Sequence, residues 1–201
     1  AVSQLLDIQT VKMAWQHDKS EAYAYLATLM GVLLAGLQVG LLLGLFVSLA
    51  ALIWRSHQPH VAVVGQVGTT EHFRNVQRHQ VTTWPNLLLI RIDENLFFGN
   101  SESIANRIWL EINQQPKLTD VVLIFSAVNH IDLSSQLMLD NLQQQLAQRQ
   151  INIHFAEIKG FVMDTLVNTP LLKNWQGKIF DTTEQAANSL KPQVPEPEYN
   201  L

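Results

Sequence analysis

VVLIFSAVNHIDLSSQ, residues 121–136, decides the fold of this chain. Its first five residues, VVLIF, are continuously apolar and rich in β-branched side chains. That pattern suits a strand buried on both faces, not one with a wet face. SAVNHID is polar and reads as a loop. From Ser134 to Arg149 the spacing becomes helical, with Leu139, Leu142 and Leu146 on one stripe and a Gln-rich remainder for solvent. A strand covered on both faces needs layers around it, which points to an α/β architecture.

Working outward toward the C-terminus, INIHFAEI (151–158) alternates Ile151, Ile153 and Phe155 and predicts another strand. Gly160 separates it from a third helix carrying Phe161, Leu166 and Val167. Lys178-Ile179-Phe180 predicts a last short strand, with Thr182 or Thr183 capping a final helix to Leu190. The tail 192–201 holds Pro192, Pro195 and Pro197 and no core-forming pattern, and is expected to be disordered.

Toward the N-terminus, LLLIRID (87–93) predicts a strand after the turn Trp84-Pro85-Asn86. NLFFGNSES then leads to a helix with Ser101 as N-cap and Glu102 in the first turn, where the dipole favours an acid. Ile104, Ile108 and Ile112 share its buried face, and Pro116 stops it. VAVVGQV (61–67) predicts the first strand, and Thr69–Gln80 reads as a loop or short helix. The expectation over 58–191 is a small, mostly parallel or mixed sheet with helices mainly on one face.

Further upstream the material changes. Ala22–Trp54 contains no Asp, Glu, Lys or Arg. A hydrocarbon core of about 30 Å needs roughly 20 helical residues, so the segment 22–55 predicts two short membrane helices, or one full and one partial pass. Gly36, Gly40 and Gly44 recur every four residues and are expected to form one helix-packing face. Gln38, polar but not ionisable, is read as a packing residue. Arg55 closes the run, and with Lys12 and Lys19 before it both flanks of a hairpin are expected on the positive, cytoplasmic side. Residues 1–21 carry no signal-peptide pattern and begin with Ala1. They are expected to be a connecting segment that continues from an earlier part of a longer protein.

Composition narrows the function. The 13 Lys and Arg are outnumbered by 17 Asp and Glu, giving a net charge of −4. The arginines are scattered among acids, which argues against nucleic acid as a partner. No cysteine is present, so disulfides, thiolate metal sites and Cys nucleophiles are excluded. His57 and His60 flank Pro59 without a third ligand, so no metal is expected. Asp93, Glu94 and Asp132 follow strand ends, but no nucleophile, His partner or phosphate-binding loop accompanies them. No cofactor and no enzymatic activity are expected.

Four stretches together carry a family resemblance: GLQVGLLLGLFVSLAALIWRSHQPH (36–60), HVAVVGQVGTTEHFRNV (60–76), LLLIRIDENLFFGNSE (87–102) with Phe-x-Asn at Phe98–Asn100, and VVLIFSAVNHIDLSSQ. In this order they resemble the C-terminal end of a SulP-type anion transporter, the sulfate permease family: last membrane helices followed by a cytoplasmic STAS domain. The resemblance implies transport of sulfate, bicarbonate or a dicarboxylate, with substrate-contacting helices outside this chain. It also implies a multi-pass protein of the inner (plasma) membrane, contact with the lipid bilayer, a homodimer, and a regulatory protein at the STAS domain. Anti-sigma factor antagonists of the same domain type read Asp-Ser-Ser-Gly in the last loop, with the second Ser phosphorylated. Asp132-Leu133-Ser134-Ser135 stands there, so Ser134 falls at the acceptor position and Ser135 replaces the Gly. Transporter members often lack that acceptor, and a Ser at a helix start also serves as an N-cap. The alternative is a membrane-tethered signalling module that binds a partner protein through Asp132–Ser135 without transport.

Overall fold

The computed structural model describes residues 15, 19–57, 59–167 and 169–192, without the side chains of Glu21, Arg55 and Ser56. The expectations for residues 1–14 and for the tail beyond Pro192 therefore lie outside the described residues. The chain divides between Gln58 and Pro59 into two compact units.

The first unit is a helical hairpin of α1 (Lys19–Ala35) and α2 (Leu37–Ser56). Leu37–Trp54 of α2 has a mean hydropathy of 2.2 and is long and apolar enough to cross a membrane; Ala22–Ala35 of α1 is apolar but shorter. The break between them is Gly36 alone. Its φ of +89° lies in the left-handed region that only glycine adopts freely, and nothing lies within 4 Å of where its Cβ would be. Gly36 thus serves the turn and leaves the expected packing face. Gly31 takes its place. A Cβ on Gly31 would sit 2.8 Å from the Gly40 Cα, and one on Gly40 would sit 2.3 Å from the Val32 backbone nitrogen. A Cβ on Gly44 would collide with Thr28 Oγ1. The glycine spacing hid this because the register begins only after the turn.

The second unit is a six-stranded sheet in the order β2-β1-β3-β4-β5-β6, formed by β1 (Val61–Gln66), β2 (Phe73–Asn75), β3 (Leu87–Ile92), β4 (Asp120–Ile124), β5 (Asn152–Ala156) and β6 (Ile179–Phe180). β1 runs antiparallel to both β2 and β3, whereas β3 through β6 are parallel. The helices are α3 (Ser101–Asn113), α4 (Leu133–Gln148), α5 (Gly160–Leu166), α6 (Pro170–Lys173) and α7 (Thr183–Leu190). The fold is the expected α/β class with a mixed sheet.

β2 corrects the loop-or-helix expectation for Thr69–Gln80. Gly68 at φ +55° allows a tight reversal, Val67 N–H donates to His72 O at 2.9 Å, and Gly65 then pairs with Arg74. Main-chain pairing builds this edge strand. With one apolar residue in three, it offers no period-two signal to read.

The sheet has two unequal apolar faces. The larger core joins Leu88, Ile90, Leu123 and Phe155 to Ile104, Ile108 and Ile112 of α3, to Leu139, Leu142 and Leu146 of α4, and to Val162, Leu166 and Leu171 of α5 and α6. Phe155 is stacked on Trp175 at 4.0 Å and lies 4.9 Å from Phe125. The smaller core sets Leu87, Leu89, Val122 and Ile124 against Ala186 and Ala187 of α7. Burial of both faces explains why β5 is buried continuously from Ile153 to Ala156 instead of alternating. In the expected third helix, Val162 and Leu166 face inward, while Phe161 and Val167 are exposed; Gly160 is its first residue, not a separator.

Candidate functional site

Parallel strands place their outgoing loops at one end of a sheet, where α/β proteins commonly gather ligands and partners. Here the loops leaving β3 and β4 are joined. Leu96 N–H donates to His130 O at 3.0 Å, and Asp132 N–H donates to Leu96 O at 3.1 Å. Asn129 N–H donates to Asn95 Oδ1 at 2.8 Å, and Lys159 Nζ, from the loop after β5, donates to Asn129 Oδ1 at 2.6 Å.

The Phe-x-Asn signature has a physical reason. Asn100 is fully buried, accepts from Phe97 N–H at 3.0 Å and donates through Nδ2 to Asn95 O at 2.8 Å. It folds the loop back on itself and leaves Phe98 at its tip, 76% exposed. Asn100 is also the residue at the N-cap position of α3, without a side-chain cap bond. This corrects the expectation for Ser101. Ser101 is the first helical residue, and its hydroxyl donates to Phe97 O at 2.7 Å and lies 2.7 Å from the Ser135 hydroxyl.

Asp132 is the centre of the arrangement. Its Oδ1 accepts from Ser135 N–H at 2.9 Å, which makes it the N-cap of α4. Its Oδ2 accepts from Phe98 N–H at 2.7 Å. One carboxylate therefore caps a helix and pins the neighbouring loop. Burial would raise its pKa, but the backbone amides of Ser135 and Phe98 outweigh that, with help from the Ser135 hydroxyl and the His130 charge, and hold the carboxyl below its ordinary range. The N-cap reading of Ser134 passes to Asp132, and the helix begins one residue earlier than expected.

Ser134 and Ser135 are opposites. Ser134 is exposed in the first turn of α4, whereas Ser135 is fully buried against Ser101. Only the Ser134 hydroxyl is open to solvent. Leu133 and Leu137, on the same helix, are 66% and 60% exposed. The surface around Ser134 is thus an apolar and hydroxyl-bearing patch on a rigid base.

The carboxylates considered for acid–base work have separate partners. Asp93 receives Arg91 Nε at 2.5 Å and faces His60 Nδ1 at 2.9 Å. Burial would raise it, but the Arg91 guanidinium, with a smaller contribution from the His60 hydrogen bond, holds it below the ordinary carboxylate range. Asp132 is engaged by backbone amides. His57 Nδ1 lies 3.0 Å from Ile53 O of α2. Among the described residues no three His, Cys, Asp or Glu side chains gather to hold a metal.

Sequence reasoning missed one buried polar pair. His154, only 4% exposed in the middle of β5, meets Asp120 at 3.0 Å through Nε2 and accepts Lys178 N–H at 2.9 Å through Nδ1. A histidine inside the apolar run INIHFAEI was the available signal.

Comparison with known proteins gives three findings. Residues 78–186 match the family model described as STAS domain. Among curated proteins, the chain is 27% identical to "Sulfate transporter 3.2" of Arabidopsis thaliana over 98% of its own length and 33% of that protein's. It is 30% identical to "Sulfate transporter 1.2" of the same plant over 83% of its length and 27% of that protein's. The chain therefore spans about a third of the length of the curated relatives it matches. Among solved structures, murine Solute Carrier 26 family member A9, an anion transporter in the inward-facing state, matches with a TM-score of 0.82. The identity is 16%, over 94% of this chain and 31% of that one, and the likeness is one of fold.

Proposed function

Since the chain belongs to the STAS-domain family, in the form found with SulP-type sulfate transporters, we propose that it is part of a multi-pass secondary anion transporter. In this reading sulfate, bicarbonate or a dicarboxylate is carried by membrane helices outside this chain. The hairpin is membrane-embedded scaffold, and the α/β unit is a cytoplasmic regulatory domain. The observation that carries the reading is one of combination. A helix of membrane-crossing length and a STAS fold occur in one chain, and the similarity to a sulfate transporter runs through 98% of it.

The regulatory surface is the patch around Ser134. Its support is geometric: an exposed hydroxyl in the first turn of α4, beside the Phe98 loop pinned by Asp132 and Asn100, with Leu133 and Leu137 exposed on the same helix. A phosphate there would add about −1.5 to −2 charges close to the positive end of the α4 dipole, although Asp132 already supplies negative charge nearby. The domain's part is modulation of transport or assembly, through a regulatory protein or a second copy.

The test is uptake of labelled sulfate, bicarbonate and a dicarboxylate by the full-length protein in vesicles, with surface abundance measured in parallel. Uptake of at least one anion is expected, and Ser134→Glu is expected to change its rate at constant abundance. Absence of uptake for all three would reject the transport reading. Parent rates for Ser134→Glu and Ser134→Ala would reject the regulatory role of this patch.

A further inference from the structure

The His154–Asp120 pair lies away from the Ser134 patch and takes no part in its hydrogen bonding. Nδ1 of His154 accepts the Lys178 amide proton, so the ring proton of the neutral imidazole must be on Nε2, facing Asp120 Oδ1. Asp120 is in turn held by Thr119 Oγ1 at 2.6 Å and Asn152 Nδ2 at 3.1 Å. The carboxylate fixes the tautomer, and the tautomer makes Nδ1 an acceptor for the chain entering β6.

We infer that His154 is a proton-operated latch, which holds β6 to the sheet when neutral and releases it when protonated. The geometry sets the direction of the response. A second ring proton has to go to Nδ1, because Nε2 already carries one. Asp120 gains a stronger partner in the imidazolium and keeps the ring in place. Nδ1–H and Lys178 N–H then confront each other at a distance now spanned by a hydrogen bond, so Lys178 has to move away. β6 is two residues long, paired in parallel with Phe155 and Ala156 of β5, and its main-chain links include Phe155 N–H to Lys178 O at 3.0 Å and Glu157 N–H to Phe180 O at 3.1 Å. Both lie within two residues of the displaced amide, on its C-terminal side.

The groups that bear on the ring come from three sides. β4 supplies the Asp120 carboxylate, the segment before β6 supplies the Lys178 charge, and β6 supplies the Phe180 ring, 6.0 Å away edge-on. The α7 helix offers Ala186 and Ala187 to the same layer, neither of them titratable. Burial is the largest influence and lowers the imidazole's pKa. Asp120 opposes this and Lys178 adds to it, and the net direction is down. A lowered histidine favours the neutral ring in the native state. The latch therefore contributes fully above the ordinary imidazole value near 6.5 and is lost as pH falls from there through the folded value.

The experiment is amide hydrogen exchange on the whole chain in detergent at pH 7.5 and 5.5, expressed as protection factors. Protection of Phe155, Glu157 and Lys178 is expected to fall by up to about tenfold at the lower pH, the limit set by an imidazole that titrates near 6.5 when free. Protection of Leu89 and Leu123 is expected to stay level. His154→Asn, whose amide oxygen can still accept Lys178 N–H but does not titrate, is expected to give equal protection at both pH values. Nitrogen-15 spectra of the unsubstituted protein at pH 7.5 are expected to show the Nε2–H tautomer. Equal protection in the parent at both pH values, a persistent pH response in His154→Asn, or an Nδ1–H tautomer would each overturn the latch.

Discussion

The two units of this chain use the same apolar residue types in opposite directions. In the hairpin the large side chains point away from the helix contact: Leu33, Leu34 and Trp54 are 70%, 79% and 73% exposed. The contact itself is made by Gly31, Gly40 and Gly44 against Val32 and Thr28. In the α/β unit the large side chains point inward, and Ile104, Ile108, Phe125 and Phe155 are fully buried. The first surface suits a solvent of hydrocarbon, where helices meet through close backbone approach. The second suits water, where burial of large apolar groups drives folding. Enlargement therefore damages one region, and truncation damages the other.

Gly40→Leu is the strongest way to break this contrast. Its Cβ would lie 2.3 Å from the Val32 backbone nitrogen, which cannot turn aside as a side chain can. The expected cost exceeds the roughly 1–3 kcal/mol of ordinary overpacking, enough to separate α1 from α2. Thermal unfolding in detergent, followed by helical circular dichroism, would measure it. A midpoint equal to that of the outward-facing control Leu41→Ala would remove the glycine face.

Phe155→Ala is the complementary change. It empties the space between Phe125 and Trp175, and a loss of about 3–5 kcal/mol is expected in denaturant titrations of the α/β unit. Leu34→Ala, a truncation on the outward face of α1, is expected to stay within about 0.5 kcal/mol. Comparable losses in both variants would show that Leu34 is covered by protein in the assembled molecule.

Asp132→Ala is expected to cost about 1 kcal/mol, as the loss of an N-cap does, and to loosen the Phe98 loop as well. Because the Asp132 carboxyl is held below its ordinary value, its contribution is present above about pH 4 and lost as pH falls through the lowered pKa. The variant is therefore expected to show a shallower fall in stability on acidification. An unchanged acid limb would assign that fall to Asp93 and Asp120, whose carboxyls are also held low. The smallest effect belongs to Ser134→Ala, expected within about 0.5 kcal/mol of the parent because its side chain is exposed.

The parts legible in the sequence were those written in side-chain periodicity. Ile104, Ile108 and Ile112, the stripe Leu139–Leu142–Leu146, and VVLIF each announce an element through what they bury. Thr182 was legible as a cap because its hydroxyl accepts Gln185 N–H at 3.1 Å, a local bond. The parts that escaped depend on main-chain geometry or on distant partners. β2 forms by backbone pairing around Gly68. The role of Gly36 depends on its φ, which spacing does not encode. At the candidate site, the loop and its Asp132–Ser135 run could be located by resemblance. The division of labour between Ser134 and Ser135 could not, because Ser101, which buries Ser135, lies 34 residues upstream.

The sheet's outer strands have a consequence for self-association. An exposed edge invites pairing with another chain, and short edge strands give such pairing little to hold. β2 and β6, at three and two residues, are short in this way. Behind β6 lies β5, five residues long, with Ile153, Phe155 and Ala156 among its buried members and no acidic residue within it. Two residues at one margin thus shield a segment with the makings of an intermolecular β-seam. Conditions that release β6, mild acid among them, are expected to let copies of this domain assemble edge to edge.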